Sequence, residues 1–282
     1  MENVGLVLEG GGMRGLYTCG VLEFFMENDL YFNYVIGVSA GACNAVSYIA
    51  KQKGRNKKVN IEYVKDWRYM SFRNLLREKS FFGMNFIFDE IPKKHVPFDF
   101  EAFEKANCEF LIGTTDCNTG KPIYLSKEDL GEEFQALRAT SSLPLISPIV
   151  NFKGYELLDG GISDSIPIVK SVKDGNKKNI IILTRNKEYR KSPIKYTKLI
   201  KLKYKKYPLL VKTMMERYKS YNETLDYIEQ LEREGKVIVI RPSQALKVGR
   251  LERDPEKLQE LFENGYEDAK NSFDKIRGFL SK

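Results

Sequence analysis

The sequence predicts an α/β fold built on a parallel sheet, and two observations carry this prediction. Short apolar runs, typical of buried strands, end in glycine-containing turns at Val4 to Leu8 and Tyr34 to Ile36. Each run is followed by a stretch with helical character, at Gly15 to about Glu27 and at Ala40 to Lys51. Strand, loop and helix repeated in this order are the pattern of a parallel sheet with right-handed crossovers.

The same kinds of element continue along the chain. Compact apolar runs predict strands at Phe110 to Thr115, Ile123 to Leu125, Leu145 to Phe152, Tyr155 to Leu158, Asn179 to Thr184 and Lys236 to Ile240. Helical patterns lie at Glu132 to Ala139, about Leu209 to Glu234 and about Pro255 to Leu280. Because we find no internal repeat, low-complexity segment or convincing linker, we expect one domain over residues 1–282, with a helical C-terminal region from about residue 195.

Composition limits the class of protein. The 282 residues suffice for a sizeable core, and the formal net charge of +8 suits an anionic partner such as a membrane surface, a lipid headgroup or nucleic acid. A solvated basic surface fits that charge equally well. The chain shows no signal peptide, no run of about 18 apolar residues and no C-x-x-C spacing among Cys19, Cys43, Cys108 and Cys117. We therefore expect a cytoplasmic protein with reduced cysteines and no transmembrane helix.

Two segments look peripheral to the sheet, and each has two interpretations. Phe81 to Phe103 is rich in aromatic residues and broken by prolines, so it is either a loop packed on the core or part of an apolar substrate entrance. Lys195 to Lys206 carries six lysines among tyrosines and leucines. It is either a solvated helix face or an interfacial helix that contacts anionic lipid.

A glycine-rich stretch follows the first strand. Gly10, Gly12 and Gly15 match the G-x-G-x-x-G fingerprint of dinucleotide-binding proteins. That interpretation requires an acidic residue at the end of the next strand, to hold the ribose. The next strand instead ends in Gly37-Val38-Ser39, so the pattern argues against a dinucleotide.

The second strand runs into Gly37-Val38-Ser39-Ala40-Gly41, which has the G-x-S-x-G pattern of a nucleophile elbow. In such an elbow the serine sits on a strained turn between strand and helix, where its hydroxyl is exposed. The alternative is a tight turn in which Ser39 is only an N-cap.

A nucleophilic serine needs a base, and the usual histidine is missing. The single histidine, His95, lies among lysines and prolines and is expected at the surface. Asp159 precedes Gly160-Gly161, which would let the chain turn away sharply, although the pattern alone also fits a simple turn. A free aspartate is a weak base because its pKa is about 3.9, but burial would raise that pKa. Asp164 is a rival that we expect to support the loop.

Three segments in this order, "GGGMRG", "GVSAG" and "DGG", resemble the signature elements of the patatin-like phospholipase family. "RATSSLP" resembles the family's segment before the aspartate. "PFDFEAF" and the C-terminal "RPSQALKVGRLERDPEKLQELFENGYEDAK" are similar to a bacterial branch of the family, so the resemblance covers essentially the whole chain. It implies a three-layer α/β/α fold with a mainly parallel central sheet. It also implies a lipid acyl hydrolase that uses a Ser–Asp dyad and no histidine base.

Carried over position by position, the resemblance makes Ser39 the nucleophile and Asp159 the base. It assigns the oxyanion loop to Gly10, Gly11, Gly12 and Arg14. We expect N–H groups of Gly11 and Gly12 to bind the oxyanion, with the Ala40 N–H as a further donor, while Arg14 shapes the loop or its potential. Supporting positions are Gly37, Ala40, Gly41, Gly160 and Gly161.

The expected substrate is a phospholipid, a lysophospholipid or another acyl lipid, with peripheral membrane contact and no nucleic-acid partner. No metal or organic cofactor is required. Two rival functions stay open: an acyltransferase or general carboxylesterase with the same dyad, and a non-catalytic lipid- or nucleotide-binding protein.

Overall fold

An eight-stranded mixed sheet forms the centre of the protein. The computed structural model describes residues 4–281. The strands are β1 (Val4–Leu8), β2 (Tyr34–Val38), β3 (Glu109–Asp116), β4 (Pro122–Leu125), β5 (Val150–Phe152), β6 (Tyr155–Asp159), β7 (Lys178–Ile182) and β8 (Val237–Ile240). They lie in the order β5-β6-β3-β2-β1-β7-β8, and β4 also pairs with β3. Pairs along β3-β2-β1-β7-β8 are parallel, while β4, β5 and β6 pair antiparallel, so the mainly parallel sheet is confirmed.

Helices and short helical turns connect the strands. The α-helices are α1 (Leu16–Glu27), α2 (Ala40–Ile49), α3 (Arg55–Lys57), α4 (Phe72–Glu78), α5 (Phe100–Lys105), α6 (Gln135–Thr140), α7 (Ile168–Lys173), α8 (Thr197–Lys203), α9 (Pro208–Arg233) and α10 (Pro255–Leu280). Tighter 3-10 turns span Gly12–Gly15, Lys127–Asp129 and Gly160–Ile162, and wider π-helical segments span Lys58–Glu62 and Phe86–His95. Within residues 4–281, no helix combines the length and the apolarity that crossing a membrane would require.

The two faces of the sheet contact different helices. Leu6 and Leu8 of β1 belong to the larger core, which also contains residues of α1, α2 and α10. Val7 points to the other face, into a core formed with α7 and α9. Successive side chains of a strand point to opposite faces, so a fully buried strand needs a helical layer on each side. The predicted three-layer α/β/α arrangement is therefore confirmed.

Two sequence-based predictions are wrong in their details. Leu145 to Ile149 is not part of β5: the φ angle of Leu145 is +73°, which an extended strand excludes. Its N–H donates to the Tyr204 hydroxyl at 3.0 Å, and the Lys203 ammonium donates to its carbonyl at 3.0 Å. The helix expected from Glu132 begins at Gln135, because Phe134 has a left-handed φ of +53°.

The peripheral segment Phe81 to Phe103 is largely helical. It contains the π-helical turns Phe86–His95 and the start of α5, and several of its aromatic side chains are buried in the larger core. The lysine-rich segment forms α8 and its flanks.

Close contact between α1 and α10 ties the C-terminal helix to the first one. A Cβ atom added at Gly265 of α10 would lie 2.0 Å from the Tyr17 carbonyl oxygen of α1. Such a separation is far below van der Waals contact, so a larger residue must push the two helices apart.

We predict that Gly265→Ala destabilises the protein by about 1–3 kcal/mol, the usual cost of overpacking. The matched control is Gly278→Ala on the same helix, where an added Cβ meets no atom within 4 Å. Because alanine favours helix over glycine, that control should be neutral or stabilising by up to about 1 kcal/mol. Urea midpoints at constant m-value measure both effects, and equal midpoints for the two variants would contradict the close contact.

Candidate active site

Strand register brings the predicted serine and aspartate together. Val38, the last residue of β2, pairs with Gly113 of β3, and the following residue is Ser39. Asp159, the last residue of β6, pairs with Thr114, the next residue of β3. The two candidate residues therefore occupy adjacent positions beside one strand.

Ser39 has the strained backbone of a nucleophile elbow. Its φ and ψ are +53° and −126°, a combination that a residue with a side chain rarely adopts and that typically costs about 1–3 kcal/mol. The Ser39 N–H donates to the Thr140 hydroxyl at 2.8 Å, which holds the turn in place. The flanking glycines are required by space: a Cβ at Gly41 would lie 2.6 Å from the Leu8 carbonyl oxygen, and one at Gly37 would lie 2.7 Å from the Ala42 nitrogen.

Asp159 is a buried carboxyl with one oxygen in use. Its Oδ1 accepts the Gly161 N–H at 2.7 Å, while its Oδ2 is buried and has no hydrogen-bond partner among the described residues. The Ser39 hydroxyl lies beside this carboxyl and lowers its pKa, although the two make no hydrogen bond of regular geometry. Burial dominates and raises the pKa of Asp159, against the lowering effects of Ser39, Arg217 and Gly161.

Glycine at position 160 allows the close approach of Asp159 to β3. A Cβ there would lie 2.1 Å from the Gly113 carbonyl oxygen. The sharp turn after Asp159 is a single 3-10 turn, Gly160–Ile162, and its second residue supplies the N–H that orients Oδ1. Both glycines of "DGG" therefore serve the position of the carboxyl.

The glycine loop after β1 presents backbone donors near Ser39. Gly10 to Gly12 line the same polar pocket as Ser39 and Asp159. The Gly10 N–H is directed to the Ser165 carbonyl at 3.5 Å, whereas those of Gly11 and Gly12 donate to no atom of residues 4–281. The Ala40 N–H, at the start of α2, is likewise without a protein acceptor in the described chain. Such N–H groups are available to an external acceptor, as at other helix N-termini.

An apolar cavity borders Ser39. It has a volume of about 930 Å³ including its opening to solvent. Ser39, Ala40 and Cys43 line it, together with apolar side chains that include Phe82, Met84, Ile87, Phe88 and Phe134. Phe82 to Phe88 belong to the aromatic segment, so that segment both packs on the core and lines the cavity.

A second, basic pocket also borders Ser39. Besides the glycine loop and Asp159, it is lined by the cationic residues Arg14, Arg185, Lys191, Arg217 and Arg250. Burial, together with the charges of Arg217 and Arg250, lowers the pKa of Lys191 to about 6. The two cavities share Gly12, Ser39 and Leu143, so the serine lies where an apolar and a cationic chamber meet.

Glu9 is the second carboxylate in the basic pocket, and it is fully engaged. It accepts hydrogen bonds from the Thr184 N–H at 2.6 Å, the Thr184 hydroxyl at 3.0 Å and the Tyr221 hydroxyl at 2.7 Å. These contacts connect the glycine loop to the end of β7 and to α9. Arg250 holds the loop from another side, because its carbonyl oxygen accepts the Met13 N–H at 3.1 Å.

The structure separates the rival residues from Ser39. His95 is exposed and stacks near the rings of Tyr63 and Phe86, outside both cavities. Asp164 accepts the Tyr124 hydroxyl at 2.6 Å and so supports its loop as expected. Within residues 4–281, no group of three or more His, Cys, Asp or Glu side chains is arranged to hold a metal ion, and all four cysteines are free.

Sequence reasoning missed much of the basic pocket. Arg185, Lys191 and Arg217 were not singled out, and Arg250 entered only inside a longer similar segment. Arg217 lies in the helical pattern of α9, and an arginine in such a pattern is normally expected on the solvent-exposed face of the helix. The one available signal was the positive net charge, which does not say where the charge collects.

Comparison with known proteins adds family matches. A family model described as Patatin-like phospholipase matches residues 6–170, more than half of the chain. A second model, described as Domain of unknown function (DUF6363), matches residues 207–281.

Individual relatives share about 30% or less of their aligned residues with this chain. The chain is 27% identical over 187 residues to the uncharacterized protein YjjU of Escherichia coli, covering 64% of this chain and 52% of YjjU. It is 31% identical over 182 residues to lysophospholipase NTE1 of Lodderomyces elongisporus, covering 62% of this chain and 12% of NTE1. The matches thus span about half of YjjU and a small part of NTE1. The crystal structure of VipD from Legionella pneumophila aligns with 98% of this chain and 67% of that chain, at 14% identity and a TM-score of 0.49.

We predict that Arg217→Gln raises the pKa of Asp159 above its already raised value. Arg217 stabilises the ionised carboxylate, so its loss favours the protonated form and moves the titration to higher pH. Carboxyl-selective NMR of the two proteins measures the shift. Arg233→Gln is the matched control, because it removes the same charge from an exposed position on the same helix. An unchanged Asp159 titration in Arg217→Gln would rule out this electrostatic coupling.

Proposed function

The chain belongs to the patatin-like phospholipase family, and from that membership and the geometry around Ser39 we propose that it is a serine lipid acyl hydrolase with a Ser39–Asp159 dyad. One observation carries the proposal. A serine on a strained elbow lies beside a buried aspartate with a raised pKa and an unpartnered oxygen. The single histidine of the chain is exposed elsewhere, so the aspartate is the base at hand.

In the acylation step, the Ser39 Oγ attacks the carbonyl carbon of the ester while its proton passes to the Asp159 Oδ2. The raised pKa brings this carboxylate closer to the range in which a base is effective near neutrality. The tetrahedral intermediate then breaks its bond to the alcohol, which leaves with the proton from Asp159. An acyl group remains on Ser39.

The negative charge of the tetrahedral oxygen needs donors that are already in place. The unengaged N–H groups of Gly11, Gly12 and Ala40 support this role. Each such donor typically contributes about 2.7–4 kcal/mol to lowering the barrier. Gly10 is less suited to donate, because its N–H is directed to the Ser165 carbonyl. Arg14 makes no hydrogen bond of its side chain to the described residues, so we assign it to the potential of the loop.

Hydrolysis completes the cycle. A water molecule attacks the acyl carbon as Asp159 takes its proton, and the second tetrahedral intermediate breaks its bond to Ser39. The proton returns from Asp159 to the serine oxygen, and a fatty acid leaves. No step calls for a metal or an organic cofactor.

The apolar cavity supports an acyl lipid as the substrate. An acyl chain placed among Phe82, Phe88 and Phe134 could present its ester to Ser39, which lines the same cavity. Burial of a hydrocarbon chain is favourable by about 0.8 kcal/mol per CH₂ group. The name of the NTE1 relatives, lysophospholipase, agrees with a lipid that has a single acyl chain.

Peripheral membrane contact is part of the same proposal. The flank and face of α8 expose Tyr196, Leu199 and Leu202 by 68%, 52% and 72%. Lysines alternate with these apolar side chains along Lys195 to Lys206. Exposed apolar residues beside lysines suit the surface of an anionic bilayer, where both kinds of side chain gain free energy.

We predict that Ser39→Ala and Asp159→Asn each lower kcat/KM for ester hydrolysis by about 10³-fold or more, since the two residues act as one unit. Asparagine keeps an oxygen to accept the Gly161 N–H but cannot take the proton. His95→Ala is the control and should retain activity. Assays use phospholipids, lysophospholipids and short-chain p-nitrophenyl esters. Full activity of Asp159→Asn would eliminate the dyad.

We predict that the protein floats with vesicles of anionic phospholipid and that added salt weakens this binding, since salt screens the lysines. Replacing both leucines, Leu199→Ser with Leu202→Ser, should weaken binding by about tenfold or more, because each leucine would lose its burial in lipid. Val169→Ser, at another exposed apolar site, is the matched control. Salt-independent binding, or none, would count against the contact.

A further inference from the structure

The basic pocket contains more positive charge than the proposed chemistry uses. Five cationic side chains face two carboxylates, Glu9 and Asp159. Four of the five are arginines, so the cations outnumber the carboxylates by at least two even when Lys191, whose pKa is lowered to about 6, is neutral. Among the described residues, none of the five cations forms an ion pair.

Other arginines that are shielded from solvent have partners, either carboxylates or neutral oxygens. Arg55 forms no ion pair but donates to the Ser47 hydroxyl at 3.1 Å and to the Val96 carbonyl at 3.2 Å. Three more arginines bind carboxylates. Arg68 binds Asp66 and Glu90, Arg190 binds Asp226 and Glu229, and Arg241 binds Glu232. Arg14, Arg185 and Arg250 are the exception in the pocket, because the described residues supply them with neither a carboxylate within ion-pair distance nor a side-chain hydrogen bond, and Nε of Arg14 and of Arg185 is buried. A buried cation without a counterion is costly, and such groups in proteins are usually paired.

Arg14 shows the exception most clearly. It is only 5% exposed, its side chain donates no hydrogen bond to residues 4–281, and its Nε is buried without a partner. The Nε atoms of Arg185 and Arg217 are also buried without partners, and Arg217 donates only to the Ser165 hydroxyl, at 3.2 Å. These guanidinium groups therefore carry N–H donors for which the described residues supply no hydrogen-bond acceptor.

Aromatic rings fix the position of two of the cations. The Lys191 ammonium lies 4.0 Å from the centre of the Tyr221 ring, and the Arg185 guanidinium lies 4.4 Å from that of Tyr189. Tyr221 is itself anchored by its hydrogen bond to Glu9. The charges are thus held toward one small volume next to Ser39 and are not spread over a flexible surface.

From these observations we propose that the basic pocket binds a phosphate group carried beside the scissile ester, as in a lipid that bears a compact phosphate headgroup. The inference rests on the proposed function for the position of the ester at Ser39. An excess of two positive charges matches a phosphomonoester, and guanidinium forks bind phosphate oxygens in pairs. Because Arg14 is recessed, a phosphate group that enters the pocket can reach it, whereas the flat surface of a bilayer cannot.

The placement fits one lipid spanning both cavities. Its acyl chain lies in the apolar cavity, its ester carbonyl at Ser39, and its phosphate among the arginines. The three residues shared by the cavities, Gly12, Ser39 and Leu143, mark the point where the ester would lie. A neutral ester of the same chain length would leave the arginines without an anion.

The test compares a 1-acyl-glycerol 3-phosphate with the 1-acyl-glycerol of the same chain. For each, kcat/KM is measured for the wild type, Arg185→Gln, Arg250→Gln and the exposed charge control Arg233→Gln. We expect the wild type to prefer the phosphate-bearing ester and each pocket variant to lower that preference by about 10- to 100-fold, mainly through KM. Arg233→Gln should keep the preference within about twofold.

A binding measurement is independent of turnover. Isothermal titration of Ser39→Ala with inorganic phosphate and with glycerol 3-phosphate should show binding that a second change, Arg250→Gln, weakens. If phosphate binds but the lipid preference is absent, the pocket takes free phosphate and not a headgroup. Absence of both binding and preference overturns the proposal. If the wild type hydrolyses neither ester, the proposed function fails, and the titration alone decides on the phosphate site.

Discussion

The site depends on the register of one strand. β3 pairs in parallel with β2 through Gly113 and antiparallel with β6 from Thr114, so two strands that run in opposite directions end beside neighbouring residues. Ser39 and Asp159 are 120 positions apart in the sequence, yet a shift of one residue in either pairing would move one of them to the other face of the sheet. The glycines at 41 and 160 permit the close approach that this register demands.

Two opposing effects set the pKa of the Asp159 carboxyl. Burial raises its pKa, which improves it as a base, while Arg217 and Arg250 favour the charged form and keep it able to accept a proton. If burial acted alone, the carboxyl would tend to hold its proton and be unable to take one from serine. If the arginines acted without burial, the carboxylate would be a weak base. The basic pocket therefore takes part in the balance that the proposed dyad requires, besides its proposed role for phosphate.

The local parts of the site could be predicted from sequence, but its assembly from distant segments could not. The elbow at Ser39 and the turn after Asp159 can be recognised from short sequence motifs, because a strained backbone needs glycine at fixed neighbouring positions. The strand Val4–Leu8 and the helix Pro255–Leu280 also match their predictions. Leu145 to Ile149 was mistaken for a strand because its apolar composition does not reveal that Tyr204 and Lys203 take its backbone hydrogen bonds. Arg217 and Arg250 carry no local pattern at all, since only the folded chain brings them to Ser39.

The position of the basic residues along the chain separates two properties of the site. Ser39, Asp159 and the glycine loop lie within residues 6–170, which match the family model. The other cationic residues of the pocket lie beyond that segment: Arg185, Lys191, Arg217 and Arg250. Arg217 and Arg250 fall within residues 207–281, which match the second family model. The machinery proposed for ester cleavage is thus contained in the family segment. Of the five cationic residues of the basic pocket, Arg14 lies in that segment and the other four come from the C-terminal region. Because that region also anchors the glycine loop through Tyr221 and Arg250, we propose that the chain acts as one domain, in which selectivity can change without any change in the dyad.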